Sequence, residues 1–183
     1  MKKLNKVVVF FCFILTVFSC SSDDENNSQE QEQQSTNVIT LNNETYVVNS
    51  VFVEPSIGGS TFVSLINKSE TEVLDALNNG TQLDNVNIFT IRINQNPLAE
   101  QTYNFSDMPS LQFEVNAQFI DGELEDGNIL LDRNNSDDNL NANSGSITIS
   151  SLTTDTINFS FEFTRNDGEI VNGNFNGNFL MYD

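Results

Sequence analysis

The side chains able to do chemistry in this chain are almost all carboxylates. Its 183 residues include no histidine, two cysteines and 26 acidic residues. Without histidine there is no Ser-His-Asp triad and no imidazole-ligated zinc or iron site. Cys12 and Cys20 are too few for a thiolate metal site. No glycine-rich phosphate loop stands at a strand–helix junction. Asp121, Glu123, Glu125 and Asp126 form one cluster of acids, around Gly122 and Gly127. Two carboxylates about 5–10 Å apart can serve as the acid and base of a glycosidase. The plainer reading of these four is a solvated hairpin turn. A second group, Asp132, Asn134, Asp137 and Asp138, offers the oxygen ligands that hard cations such as calcium take. It is not an EF-hand loop, because Asp137 stands where glycine is needed and Asn143 where glutamate is needed. The chain is expected to be non-enzymatic and to need no cofactor, with calcium at residues 132–138 the one metal candidate.

Cys20 has a more specific reading. Lys2, Lys3 and Lys6 precede an apolar run at residues 7–18 that only Thr16 interrupts. Twelve residues are too few to span a bilayer, which takes about 20. The run matches the apolar region of a secretory signal peptide. It ends in Val17-Phe18-Ser19-Cys20. This resembles the lipobox of bacterial lipoproteins, in which an aliphatic, a variable and a small residue precede an invariant cysteine. Val17, Ser19 and Cys20 fit, and Phe18 is bulkier than the usual occupant. The resemblance implies cleavage before Cys20, diacylglycerol on its thiol and a further acyl chain (palmitate) on its amine. Two or three chains anchor stably where one is marginal. Residues 1–19 would then be the signal peptide. Ser22, Asp23, Asp24 and Glu25 follow at once. They resemble the acidic signal that sends lipoproteins of the Bacteroidota to the outer face of the outer membrane; the alternative is an acidic linker without that meaning. Residues 21–36 hold Asn, Ser, Gln, Thr and acids with no apolar residue, so they cannot bury enough to fold. As a coil these 16 residues span roughly 20–25 Å, and at most about 55 Å when stretched.

Charge narrows the partners. Loss of the three leader lysines leaves Lys68, Arg92, Arg133 and Arg165 against all 26 acids, a net charge of −22. That field repels phosphate backbones, so nucleic acid is excluded as a partner. The plain reading of such acidity is solubility, and the alternative is attraction of cations or of a basic partner.

Residues 37–183 are expected to form a single domain. A body of about 150 residues buries roughly 68–70% of its unfolded surface and needs no staple. Its dominant pattern is strict alternation. Leu111, Phe113, Val115, Ala117 and Phe119 alternate with polar residues, as do Ile157, Phe159, Phe161 and Phe163. Each is read as a strand with one buried face. Further strands are expected at 38–41, 45–53, 61–66, 86–94, 101–105 and 145–152. Asn166-Asp167-Gly168 should turn the hairpin between 155–165 and 169–182. In that last strand Asn172, Asn174, Asn176 and Asn178 share one face, while Gly173, Phe175, Gly177 and Phe179 share the other. Glycines inside a strand signal close approach or a bend. Ser69, Glu72 and Gly80 carry the start and stop signals of a short helix of one or two turns. Residues 132–144 are polar and should be a loop. The fold expected is all-β, an antiparallel sandwich or barrel of about 8–10 strands with at most one short helix.

As a whole, the chain resembles the small lipoproteins of flavobacteria and their relatives. The likeness rests on the lipobox, the acidic start, the phrase Pro97-Leu98-Ala99-Glu100-Gln101-Thr102-Tyr103-Asn104-Phe105 and the hairpin of 145–179. Where relatives tend to carry glycine before the Thr-Tyr, Gln101 stands here. The resemblance implies location and fold, and no activity. Together these readings suggest a surface-displayed, outer-membrane lipoprotein that binds an extracellular protein or glycan. The alternative is a lipocalin-like barrel carrying an apolar ligand in a cavity lined by Phe159, Phe161, Phe163, Phe175 and Phe179.

Overall fold

In the computed structural model, residues 37–182 are described. The expected signal peptide, Cys20, the expected export-signal residues Ser22, Asp23, Asp24 and Glu25, and the expected tether to residue 36 lie outside them. The alternating segments do become strands. In chain order these are β1 (Val38–Leu41), β2 (Glu44–Val47), β3 (Ser50–Ser56), β4 (Ser60–Ile66), the helix α1 (Glu70–Asn79), β5 (Leu83–Ile93), β6 (Thr102–Asn104), β7 (Ser110–Ile120), β8 (Glu123–Glu125), β9 (Asn128–Asp132), β10 (Ala142–Leu152), β11 (Thr156–Arg165), β12 (Ile170–Asn178) and β13 (Leu180–Met181). Single 3₁₀ turns at Phe105–Asp107 and Asp138–Leu140 complete the elements.

The strands make two sheets. One has six strands in the order β2-β1-β12-β11-β10-β6, all antiparallel. The other runs β13-β3-β4-β5-β7-β8, with β9 also on β7. Only β13–β3 in it is parallel. The fold is therefore the sandwich, and no closed barrel forms among the described residues. Its thirteen strands exceed the 8–10 expected for two reasons. Segments 45–53 and 169–182 each divide between the sheets. At Val48 and Asn49 the chain leaves the six-stranded sheet, with Asn49 N–H already bonded to Ile66 O at 2.8 Å. After Asn178 it crosses back, and Tyr182 N–H reaches Val53 O at 3.0 Å. These crossings stitch the layers at one edge. In addition, β8 is a short acidic strand, and β9 holds the unbroken apolar run Ile129, Leu130 and Leu131, so neither shows the alternation by which strands were read.

The main core lies between the sheets. Phe159, Phe161 and Phe163 of β11 and Phe175 of β12 meet Phe89 of β5 and Phe113 of β7 there. Phe89 sits edge-on to Phe161 and to Phe163, with centroids 5.0 and 5.8 Å apart. The glycines of β12 permit this. Gly173 pairs with Phe161 across the strands, and the ring lies over the space where a Cβ would stand.

A smaller cluster sits on the other face of the seven-stranded sheet, under α1. The expected single face of 111–119 breaks here. Leu111, Phe113 and Val115 enter the main core, but Ala117 and Phe119 pack with Val73 and Ala76 of the helix. The cause is a register shift in β7 around Asn116, whose φ is +58°. One extra residue sends every later side chain to the opposite face. The helix that covers them has the expected caps: Ser69 Oγ and Glu72 bond reciprocally, and Gly80 closes at φ +67°. At ten residues it is nearly three turns, longer than expected.

Candidate functional site

The outer face of the six-stranded sheet is built by the polar half of the same alternation. Cross-strand register lines its side chains into rows. One row runs Val47–Val38–Asn174–Ser160–Thr148–Thr102. The next runs Thr45–Thr40–Asn172–Glu162–Ser146–Asn104. Each crosses six strands, about 24 Å, and the rows lie about 7 Å apart. Of these twelve positions, nine carry a hydroxyl or amide, two carry valine, and one, Glu162, is charged. Beyond them β12 and β11 add the pairs Asn176–Asn158 and Asn178–Thr156.

The near absence of charge here is the unusual feature. Of the 26 acids, Asp23, Asp24, Glu25, Glu30, Glu32 and Asp183 lie outside the described residues, which leaves 20. One of the 20 stands in the two rows, and none of the four cations does. The opposite sheet differs: its outer face carries the row Glu54–Phe62–Arg92–Ser110, with Arg92 stacked 5.6 Å over the Phe62 ring. Few of the polar groups in the two rows are used internally. The Thr102 and Thr148 hydroxyls bond each other at 2.9 Å, and Asn174 Oδ1 accepts from Asn37 N–H at 3.0 Å. The hydroxyls of Thr40, Thr45, Ser146 and Ser160 and the amide of Asn172 have no side-chain hydrogen bond among the described residues. Such a surface offers neutral donors and acceptors on a lattice. It lacks the Trp, Tyr and Arg anchors that dominate protein–protein contacts and the cations that phosphate needs.

The sequence-level site candidates fall elsewhere. Asp121 and Gly122 form a two-residue hairpin turn between β7 and β8, with φ of +53° and +86° as a type I′ turn requires. Glu123, Glu125 and Asp126 are exposed beside it, as the hairpin reading expected. At 132–138 the side-chain oxygens turn onto their own loop. Asp132 Oδ1 accepts from Asn134 N–H at 3.0 Å, and Asp137 Oδ1 accepts from Asn139 N–H at 3.1 Å. Asp138 Oδ1 accepts from Asn141 and Asn166 amides. Asn134 is exposed at the loop surface. Among the described residues, no three acidic side chains converge as a metal site.

The Phe side chains expected to line a barrel cavity do not enclose one together. Phe159, Phe161, Phe163 and Phe175 fill the core against one another and against Phe89. They do so because the sheets stay apart as two layers and their inward rings interdigitate. Phe179 instead lines an apolar cleft of about 260 Å³, with Val53, Pro97, Leu98, Leu152 and Met181.

Two further side chains are tuned by their surroundings. Burial, helped by a 2.6 Å bond to Glu44, pushes the Tyr46 phenol up to about 12. The Arg165 guanidinium holds the Asp167 carboxyl below the usual range while donating to Leu130 O at 2.8 Å. That ion pair ties the β11–β12 turn to β9, which is a structural task.

By fold the described residues form a two-sheet β-sandwich, antiparallel except at β13–β3, with one α-helix. Comparison with family models, with curated proteins and with solved structures gives no match to this chain.

Proposed function

We propose that the protein is a lipid-anchored lipoprotein of the outer membrane, facing the cell exterior, whose β domain is a non-catalytic module that binds a neutral glycan. The anchor is Cys20, and Ser22, Asp23, Asp24 and Glu25 direct the display. One observation carries the binding reading: two rows totalling twelve side chains with a single charge, on a chain of net charge −22 once the leader lysines are lost. A neutral, hydroxyl-rich polymer can exchange hydrogen bonds with such a face without crossing the acidic field. Anionic partners are repelled by that field.

Two experiments test it. Cys20→Ser should release the protein from the membrane fraction; retention there would end the anchor assignment. Native electrophoresis of the mature protein through gels holding xylan, mannan or β-glucan should retard it, and gels holding alginate should not. Free migration in all the neutral gels would end the glycan assignment. A second reading, carriage of an apolar ligand, has the 260 Å³ cleft in its favour. That volume falls below the 300–1,000 Å³ of drug-sized sites, which limits the cargo to a small one.

A further inference from the structure

We infer that a second cleft, beside the asparagine ladder of β12, seats one terminal sugar of the glycan proposed to lie on the sheet face. The inference rests on that reading and adds to it a site and a ligand chemistry.

The cleft measures about 220 Å³ and is lined by Asn37, Asn49, Ser50, Glu70, Phe175 and Asn178, with Val51 and Gly177. It gathers groups from four places: the residue before β1, the start of β3, the first residue of α1 and the end of β12. Asn37 joins it to the sheet face. Its N–H donates to Asn174 Oδ1, and its own Oδ1 accepts from Asn176 N–H at 2.7 Å. Asn178 continues the same ladder. A chain lying along the Asn face would therefore reach the cleft at its end.

The lining suits a sugar ring. Phe175, which is 3% exposed, supplies a small apolar part of the floor. Its ring folds back under Gly177, where a Cβ would stand 3.2 Å from the ring tip. Glycine at 177 keeps that floor from being capped by a side chain. The polar groups are rich in acceptors. Ser50 Oγ donates to Lys68 O at 2.8 Å, and its lone pairs remain free to accept. Asn49 Nδ2 donates to Asn67 O at 2.6 Å, which leaves Oδ1. Glu70 has no hydrogen-bond partner for its side chain among the described residues, and neither has Asn178. Four such groups call for a ligand with several hydroxyl donors. The carboxylate of Glu70 rejects a sugar that carries its own carboxylate. The volume is below that of drug-sized sites, so a single ring is the fitting occupant.

The test uses the mature lipidated chain in detergent, with variants Glu70→Ala, Asn178→Ala and Gly177→Ala in the cleft and Ser160→Lys on the face. Thermal melts establish that each variant folds. Binding is measured to intact xylan, mannan and β-glucan and to short oligosaccharides made from each, with oligogalacturonate as the anionic control. Loss of a hydrogen bond to a charged group should weaken oligosaccharide binding about tenfold or more in Glu70→Ala. The cleft variants should lose more affinity for oligosaccharides than for polymer, in which chain ends are rare. Ser160→Lys should weaken both. Cleft variants that bind oligosaccharides like the parent, while Ser160→Lys does not, would overturn the cleft and leave the face standing. Equal binding of oligogalacturonate would also overturn the cleft, by removing the role of Glu70. No binding of any neutral glycan by the parent would overturn both readings.

Discussion

Replacing Gly173 by alanine tests the packing of the sandwich at its tightest point. The added Cβ would stand 2.5 Å from Phe161 Cζ, 2.9 Å from its Cε1 and 2.5 Å from Val38 O. Neither neighbour yields easily. Val38 O belongs to the β1–β12 pairing, in which Ile39 opposes Gly173. The Phe161 ring is boxed by Phe89 at 5.0 Å and Phe163 at 5.9 Å. Overpacking a filled core costs about 1–3 kcal/mol. Displacing Phe161 also sacrifices its edge contact with Phe89, about 0.5–1.5 kcal/mol. The expected loss is about 3 kcal/mol, or roughly 6–12 °C in Tm at 2–4 °C per kcal/mol. Urea unfolding followed by far-ultraviolet circular dichroism measures it. Gly168→Ala is the control. There a Cβ meets nothing within 4 Å, and only the φ of +89° is strained, at about 1–2 kcal/mol. Phe161→Leu in the Gly173→Ala background should recover part of the loss. If Gly173→Ala fell within about 0.5 kcal/mol of the parent, the close-approach argument for this glycine would be wrong.

Three other outcomes follow from single contacts. Asp167→Asn should destabilise by about 1–3 kcal/mol, because the buried Arg165 loses its ionic partner. The folded Asp167 pKa is depressed, so the stability it contributes is present above the unfolded value of about 3.9 and is lost as pH falls through the folded value; urea melts between pH 6 and pH 2 should show a shallower acid loss in the variant. Tyr46 should ionise near pH 12, later than a free phenol, in an ultraviolet titration. Its raised pKa adds stability that is full below about pH 10 and lost as pH rises from there through about 12, so a Tyr46→Phe variant should lose less stability over that range. Calcium and chelator should give the same melting temperature, because the oxygens at Asp132, Asp137 and Asp138 already accept hydrogen bonds within the protein; a rise with calcium would refute this and support the metal reading of that loop.

Local patterns were enough to read much of this protein. Period-2 alternation marked β10, β11 and β12 and the inward face of β5, because a pleated strand exposes every second side chain. Ser69, Glu72 and Gly80 marked the helix, because backbone groups at helix ends need those partners. The glycines of β12 announced close approach, and Gly173 does face Phe161.

Tertiary structure decided the rest. Asn116 looks like one more outward residue of an alternating strand, yet its positive φ turns Ala117 and Phe119 to the helix side. The segments 45–53 and 169–182 read as single strands, but each serves two sheets, since a strand carries no mark of which neighbour it will join. The polar rows were equally hidden. Each strand shows only its own Thr, Ser or Asn, and only the register of six strands sets Val47, Asn174 and Thr102, distant in sequence, in one line. Alternation determined that one face would be wet. Pairing between strands determined that the wet face would be broad and nearly free of charge.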